Sequence, residues 1–337
     1  MEVKLYGITE KGDEAKLYVL KNKNGVEAVV SDFGALLVHL YVPDKNGVKR
    51  DVVLGYDDLN GYEHNRGCWG ATVGRNGNRI DKASFELNGK TYQLFDIGNG
   101  TNLHSMPDVF WLRMWNATTE VGEDGESVTF FINSPDGDQG YPGNMDIEVS
   151  YTLTEDNELM IDYYGLSDQD TIFNMTNHSY FNLNGRDYPT IVKDRVWIDA
   201  DSFNETDDRL VPTGVLTPVE GTPMDFRKEK EIGQDIDADY EPIRQGHGYD
   251  HNFIVNDGKV QDEADLVAYC IGADSGIKME VYTDLPGVQM YTGRRDAVCF
   301  ETQYCPDAVH HPNFASPIIK AGEEKRSLTV YRFSIEA

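Results

Sequence analysis

Alternation of apolar and polar residues is the pattern that most limits how this 337-residue chain can fold. Between 146 and 153, Ile, Val, Tyr and Leu occupy the odd positions and polar residues occupy the even ones. Successive side chains of a strand point to opposite faces, so this segment would bury one face of a sheet and expose the other. Asp156-Asn157 offers a turn before a second run at 158–164, which predicts a hairpin.

Similar short runs recur along the chain, whereas helical periodicity is scarce. The further strand-like runs lie at 26–30, 36–42, 127–133, 191–199, 277–283 and 327–333. Only 57–63 and 228–236 have the pattern of short helices, so there is no strand–helix alternation from which to build a parallel nucleotide-binding sheet. No linker, repeat or charge block marks a boundary. We therefore predict an all-β chain whose residues 1–337 form one domain.

The charge of the chain disfavours two classes of partner. Asp and Glu number 58 against 30 Lys and Arg, a net charge of -28, which repels the phosphates of nucleic acids and anionic membrane surfaces. The sequence shows neither a leader pattern nor an apolar stretch of about 18 residues or more. Four scattered cysteines without a CxxC pair indicate reduced core thiols. We expect a cytoplasmic protein that binds neither nucleic acid nor membrane.

Two polar residues inside strand-like runs suggest acid–base chemistry. His178 stands among small polar and aromatic neighbours, and Glu301 is a lone carboxylate among apolar and hydroxyl residues, a setting that tends to raise a carboxyl pKa. A lone histidine is more often structural, but Asn177, Ser179 and Tyr180 could orient both an imidazole and a hydroxylated ligand. Such a pair can move protons between two oxygens without a nucleophile, metal or redox cofactor.

Further residues could hold a neutral polyol, whose hydroxyl groups both donate and accept hydrogen bonds. Asn78-Arg79 and Gln289 follow glycine turns, and Asp250 stands at the entry to a strand. His104 follows another turn and could be a ligand or a loop residue. The spacing of the remaining histidines and acidic residues supports no metal site.

An ordered set of strings resembles the aldose 1-epimerase (galactose mutarotase) family over nearly the whole length. The strings are at 31–35, 70–75, 140–143, 176–183, 250–253, 286–289, 300–303 and 306–308. The resemblance implies a large antiparallel β-sandwich with few short helices. It also implies cofactor-free interconversion of the α and β anomers of free aldohexoses such as glucose and galactose.

The resemblance also implies roles for single residues. Glu301 is similar to the base that takes the anomeric hydroxyl proton, His178 to the acid that protonates the ring oxygen, and His104 to a second histidine at that end. The expected starting state has Glu301 ionised and His178 protonated. The substrate-binding positions that the resemblance implies are Asn78, Arg79, Ser179, Tyr180, Asp250 and Gln289. The substrate would be a small neutral monosaccharide, and the protein a monomer or homodimer.

Two departures from the family pattern concern the pocket. Ser105-Met106 follows His104 where glycines are usual, and Gly77 precedes Asn78 where alanine is usual. These changes bear on which sugar is preferred, whereas both catalytic positions are intact.

Alternative functions stay open at this stage. A non-catalytic carbohydrate-binding sandwich would need no acid–base pair, and Glu301 and His178 on opposite sides of the fold would favour it. An epimerase for a different or phosphorylated aldose is another alternative, and a phosphate would need a basic cluster, for which Arg294-Arg295 is the candidate.

Overall fold

Antiparallel strand pairing dominates the computed structural model, which describes residues 1–122 and 125–336. Every ladder between the strands named below is antiparallel. The strands of the first part of the chain are β1 (Glu2–Ile8), β2 (Glu14–Lys21), β3 (Glu27–Ser31), β4 (Leu36–Pro43), β5 (Lys49–Asp51), β6 (Ala71–Val73), β7 (Arg79–Asp81), β8 (Ser84–Leu87), β9 (Lys90–Gln93), β10 (Thr101–Leu103), β11 (Asn116–Gly122), β12 (Gly125–Ser134), β13 (Met145–Thr154), β14 (Glu158–Ser167) and β15 (Thr171–Ile172). Those of the second part are β16 (Thr176–His178), β17 (Arg195–Ile198), β18 (Ser202–Thr206), β19 (Pro212–Pro218), β20 (Lys230–Glu231), β21 (Asp250–Ile254), β22 (Asp265–Ile271), β23 (Ile277–Thr283), β24 (Gly287–Tyr291), β25 (Cys299–Gln303), β26 (Ile318–Ile319) and β27 (Glu324–Ile335).

Three larger sheets carry most of these strands. One has nine strands in the order β11-β12-β13-β14-β27-β23-β22-β17-β20, and two have five strands, ordered β1-β2-β3-β4-β5 and β19-β18-β21-β24-β25. The predicted hairpin at 146–164 is confirmed as β13 and β14, which pair from Met145↔Ser167 to Leu153↔Leu159. On β13 every odd position from 145 to 153 is buried, as the alternation predicts.

The main hydrophobic core draws on all three larger sheets. Val30 comes from the first five-stranded sheet, Tyr163 from the nine-stranded sheet and Phe300 from the second five-stranded sheet, and all three are fully buried. A single apolar cluster shared among sheets is what face-to-face packing of sheets produces. The predicted all-β sandwich class is confirmed.

Helices are few and short. The prediction at 57–63 is confirmed by α1 (Leu59–Glu63), whose N-cap Asp58 accepts a hydrogen bond from the Gly61 amide at 2.9 Å. A second helix, α2 (Glu241–Gly246), was not predicted. The 3₁₀ helices are Phe110–Leu112, Asp138–Gly140, Ile232–Gln234, Asn256–Gly258 and Ala308–His310. Among the described residues, no helix has both the length and the apolar character needed to cross a membrane.

The helix predicted at 228–236 is wrong. This segment forms the short strand β20, which pairs with β17, followed by a single 3₁₀ turn. Lys230 turns its ammonium group onto the Pro223 carbonyl and the Asp235 carboxylate at 2.6 and 2.7 Å. Sheet pairing and this ion pair therefore override the local helical pattern.

A buried arginine, Arg75, holds together the segments at 134–135 and 142–143. The Arg75 guanidinium donates to the backbone carbonyls of Ser134, Pro135, Pro142 and Gly143 at 2.8–3.0 Å. It also donates to the Ser134 hydroxyl at 3.0 Å, and its side chain is inaccessible to solvent. These contacts assign a structural role to the Gly140–Gly143 string, since its Pro142 and Gly143 carbonyls accept hydrogen bonds from the guanidinium.

Replacing Arg75 should therefore destabilise the fold. We expect Arg75→Met to lower the free energy of unfolding by about 3 kcal/mol, because several buried carbonyls lose their donor. The matched control is Arg326→Met, which removes an exposed ion pair with Asp162 and should cost less than about 1 kcal/mol. Urea unfolding measures both, and equal losses would contradict the structural role of Arg75.

Candidate active site

His178 and Glu301 are brought together by two strands that lie side by side. His178 ends β16, where it pairs with Ala71 of β6. Three residues later Phe181 bridges to Val298, just before β25. This register places His178 Nε2 3.6 Å from Glu301 Oε1, with both side chains buried. Glu301 and His178 therefore share one site. They do not lie on opposite sides of the fold, the arrangement that would favour a non-catalytic binding protein.

A second pair of strands positions His104. Leu103 of β10 pairs with Arg79 of β7, and the His104 amide donates to the Asn78 carbonyl at 3.1 Å. In return, the Asn78 amide donates to His104 Nδ1 at 3.1 Å. Because Nδ1 accepts, the neutral imidazole of His104 carries its hydrogen on Nε2. The ring centroid of His104 lies 5.4 Å from that of His178.

The β21-β24-β25 part of the second five-stranded sheet supplies the remaining polar groups. Gln289 stands directly opposite Glu301 in the register, so the two share a face. Its Nε2 donates to Asp250 Oδ1 at 2.6 Å, and Arg79 Nη2 lies 3.8 Å from Asp250 Oδ2. The Asn78 side-chain oxygen accepts from Arg79 Nη1 at 3.3 Å, which orients the guanidinium. The arrangement offers both donors and acceptors to a ligand.

These side chains surround one cavity of about 250 Å³. Its walls are formed by Arg66, Gly67, Cys68, Asn78, Arg79, Leu103, His104, Met106, His178, Tyr180, Asp250, Gln289, Tyr291 and Glu301. Every catalytic and substrate-binding position implied by the family resemblance is in the wall except Ser179, and Asn177, which the sequence also suggested, is outside it. The Ser179 hydroxyl donates to Asn177 Oδ1 at 2.5 Å, on the side of the chain opposite to His178 and Tyr180. A substrate-binding role for Ser179 stays a prediction.

Sequence reasoning missed part of the wall. Tyr291 lies two residues after Gln289 on β24, so period-2 alternation could have found it. Its ring and that of Tyr180 lie 6.0 and 5.0 Å from the His178 ring, centroid to centroid, and add apolar surface. Arg66 and Cys68 come from the segment after α1, and no sequence signal places that segment beside β25.

Ser105 and Met106, which depart from the family pattern, differ in their position relative to the cavity. The Ser105 hydroxyl bonds to the Asn76 carbonyl and the Tyr141 hydroxyl at 3.0 and 3.2 Å, away from the cavity. Met106 instead forms part of the wall.

Gly77 is explained by its neighbours. A Cβ atom at this position would lie 2.9 Å from Thr176 Cγ2, closer than an ordinary carbon contact. Since Thr176 belongs to the strand that carries His178, the glycine lets β16 approach the Asn78–Arg79 turn.

Burial shifts the proton affinities of the acid–base pair in opposite directions. Desolvation and the nearby Asp250 raise the pKa of Glu301 well above its usual value, against an opposing effect of Arg79. Burial lowers the pKa of His178 to about 4. Burial, His178 and Arg79 also lower the pKa of His104 well below 6.5. Before substrate binds, these directions favour a protonated Glu301 and neutral histidines, the reverse of the starting state expected from the sequence.

The pair and His104 are close enough to share a small ligand. One ligand atom from each of His104, His178 and Glu301 lies within 4.8 Å of the other two. Two histidines and a carboxylate are also a donor set for divalent metals. The tautomer of His104 disfavours this, since its Nε2 carries a hydrogen and has no free electron pair. The cluster is better suited to hydrogen bonding and proton transfer.

Four other arginines that could bind a phosphate form ion pairs outside this cavity. A larger, open depression of about 740 Å³ contains Arg50 and Arg186. Arg50 pairs with Asp44 at 2.7 Å, and Arg186 pairs with Asp57 at 2.9 Å. The candidate phosphate cluster Arg294-Arg295 lies outside the wall of the 250 Å³ cavity, and its side chains pair with Asp296 and Asp237.

Comparison with known proteins gives matches over almost the whole chain. A family model for aldose 1-epimerase matches residues 16–332. Galactose mutarotase from Mus musculus is 39% identical over 322 residues, covering 91% of this chain and 90% of its own length. Aldose 1-epimerase from Escherichia coli (strain K12) is 32% identical over 345 residues, covering 96% and 97%. A crystal structure of an aldose epimerase homologue from C. elegans superposes with a TM-score of 0.86 at 28% identity, covering 96% and 100%.

The geometry predicts an unusual titration of His178. We expect its imidazole to stay neutral as the pH falls through 6.5, because burial lowers its pKa to about 4. His310 is the internal comparison, since its hydrogen bond to Asp307 raises its pKa above 6.5. Proton NMR of the imidazole signals, assigned with His178→Asn, should show His310 titrating first as the solution is acidified. A His178 signal that titrates together with His310 would contradict the assignment.

Proposed function

The chain belongs to the aldose 1-epimerase family, and we propose that it interconverts the α and β anomers of free aldohexoses, galactose and glucose among them, with Glu301 as base and His178 as acid. It is an isomerase, because the relatives that it matches are named galactose mutarotase and aldose 1-epimerase, and both names denote isomerases. The observation that carries the residue roles is the 3.6 Å approach of His178 Nε2 to Glu301 Oε1 in a cavity lined by hydrogen-bonding groups. A cytoplasmic location and a monomeric or homodimeric state stay predictions.

Ring opening requires one proton to leave the sugar and another to enter it. Glu301 removes the proton of the anomeric hydroxyl O1, and electrons from that O–H bond form the C1=O1 double bond. The C1–O5 bond breaks, and O5 takes a proton from His178. Starting from an ionised Glu301 and a protonated His178, the step ends with Glu301 protonated and His178 neutral, so the pair holds one proton throughout.

Ring closure reverses these transfers after a rotation. Turning about the C1–C2 bond presents the other face of the aldehyde to O5. The O5 hydroxyl attacks C1 and returns its proton to His178, while Glu301 returns a proton to O1. His104 faces the same region with its Nε2–H and can donate to an oxygen there. The enzyme is unchanged, and the product is the opposite anomer.

Charge balance in the cavity suits a neutral sugar. The charges of Arg79 and Asp250 offset each other across 3.8 Å, and the Glu301–His178 pair with one proton is neutral overall. The remaining charged side chain of the wall, Arg66, is exposed to solvent. Asp250 and Gln289 provide the acceptor and donor that adjacent hydroxyl groups need. Since mutarotation already proceeds in water, an acid and a base that each contribute roughly 10²–10⁴-fold would suffice.

Polarimetry tests the reaction and both roles. We expect wild-type protein to speed the change in optical rotation of freshly dissolved α-galactose and α-glucose. Glu301→Gln and His178→Asn should each lower kcat by roughly 10²–10⁴-fold, because each removes one proton-transfer group. Glu263→Gln and His64→Asn, at exposed positions, are the matched controls and should keep the wild-type rate.

Sugar binding, measured by calorimetry, separates the alternatives. Retention of galactose binding by a slow Glu301→Gln variant would support a catalytic role. Binding by the wild type without any acceleration would identify a carbohydrate-binding protein instead. If neither galactose nor glucose binds, a panel of other free and phosphorylated aldoses decides the substrate class.

The pH dependence of the rate follows from the single shared proton. Below the pKa of His178, about 4, a second proton binds and the rate should fall. Above the raised pKa of Glu301 the last proton leaves, and the rate should fall again. We expect a bell-shaped profile of kcat/KM whose acid limb lies below pH 6.5, after subtraction of the buffer-catalysed rate. A rate that already declines as the pH drops through 6.5 would contradict the shift of His178.

A further inference from the structure

Gln303 is a buried polar residue behind the cavity that the proposed reaction does not use. It lies two residues after Glu301 on β25, so its side chain extends from the same face of the strand. Its exposure to solvent is 0%. Its Nε2 donates to Asn252 Oδ1 at 3.1 Å and to Gln289 Oε1 at 3.4 Å. Gln303 thus contacts the back of a residue in the cavity wall.

A directed series of amides determines which way these groups face. Asn252 Nδ2 donates to Asn204 Oδ1 at 2.8 Å, so the Asn252 oxygen is the atom left for Gln303. Gln303 then offers its Nε2 to the Gln289 oxygen, which leaves the Gln289 Nε2 for Asp250. Because a side-chain amide has one donor end and one acceptor end, fixing one member constrains the next.

The reverse orientation of Gln289 would be unfavourable. Its oxygen would then face Asp250 Oδ1 across 2.6 Å, and two acceptors would meet without a hydrogen between them. Its NH₂ group would in turn face the NH₂ group of Gln303. The orientation seen leaves one hydrogen of the Gln289 amide and the remaining lone pairs of Asp250 for a ligand.

Stability alone does not explain a glutamine at this position. Its Oε1 is buried and has no hydrogen-bond partner among the residues that the structure describes. A buried unpaired oxygen disfavours folding. Its donor end, in contrast, makes both contacts that orient the amides.

From these contacts we infer that Gln303 is a positioning residue for substrate binding. It holds the Gln289 amide with its donor end towards Asp250, so that Gln289 presents a donor and Asp250 an acceptor to adjacent sugar hydroxyls. The inference rests on the proposed function, since it assigns these two side chains to sugar binding. The inference adds a buried residue that fixes which end of the Gln289 amide faces Asp250.

Replacing Gln303 should weaken substrate binding more than it slows the proton-transfer steps. We expect Gln303→Met, of similar length but without a donor, to raise KM for galactose on the order of tenfold. The value of kcat should change less, because Gln289 and Asp250 hold hydroxyls rather than transfer the reacting protons. Thr302→Val is the matched control: Thr302 is buried on the same strand but contacts Thr329 on the opposite face. It should leave KM unchanged.

The Gln303→Glu variant gives a measurement, the pH dependence of KM, that would not change if Gln303 had only a structural role. When protonated, its carboxyl group can donate to the Gln289 oxygen, and when ionised it cannot. KM for galactose should therefore approach the wild-type value at low pH and rise as the pH increases, relative to wild type measured in parallel. Burial raises a carboxyl pKa and brings this change into a measurable range.

Three outcomes would overturn the inference. They are an unchanged KM in Gln303→Met, an equal rise in KM in Thr302→Val, and a pH-independent KM in Gln303→Glu. Thermal unfolding of each variant identifies a folding defect, and Gln303→Glu then carries the test through its pH dependence. If wild-type protein binds galactose without accelerating mutarotation, the proposed function fails, and dissociation constants from calorimetry replace KM in the same comparison.

Discussion

Burial of the Glu301 carboxyl group is the constraint on which the rest of the site depends. A carboxylate is costly to bury without compensation, and a second carboxylate nearby increases the cost. Arg79 reduces it, but the guanidinium is shared with Asp250 at 3.8 Å. Glu301 therefore retains a proton more strongly than an exposed glutamate does. The imidazole 3.6 Å away is itself made less basic by burial, so the proton stays on the carboxyl group in the resting site.

Alternation along the sequence predicted several of the strands, and within strand-like runs it drew attention to the proposed catalytic pair. β23 begins and ends where the pattern at 277–283 places it. His178 and Glu301 were recognisable because a titratable group inside a strand of apolar and small polar neighbours is unusual. Local patterns suffice here because the face of a strand is set by its own period.

Features that depend on contacts between distant segments could not be predicted from local patterns. The segment 228–236 looks helical locally, but its pairing with β17 decides its conformation. Helix α2 has fewer than two turns, too short for a periodic signal. Met106 and Arg66 enter the cavity wall because separate loops converge, and the amide series through Gln303 joins the four strands β18, β21, β24 and β25. Each depends on the packing of segments far apart in the chain.

The pKa shifts of Glu301 and His178 also determine which protonation state of the pair is favoured at each stage of the proposed reaction. With the closed sugar the reactive arrangement is an ionised Glu301 and a protonated His178. After ring opening the carboxyl group holds the proton and the imidazole is neutral. Burial favours this second arrangement at both residues. Because the resting site already holds this second arrangement, the proton must move from Glu301 to His178 before the ring opens. The free-energy cost of that transfer is recovered when ring opening returns a proton to Glu301.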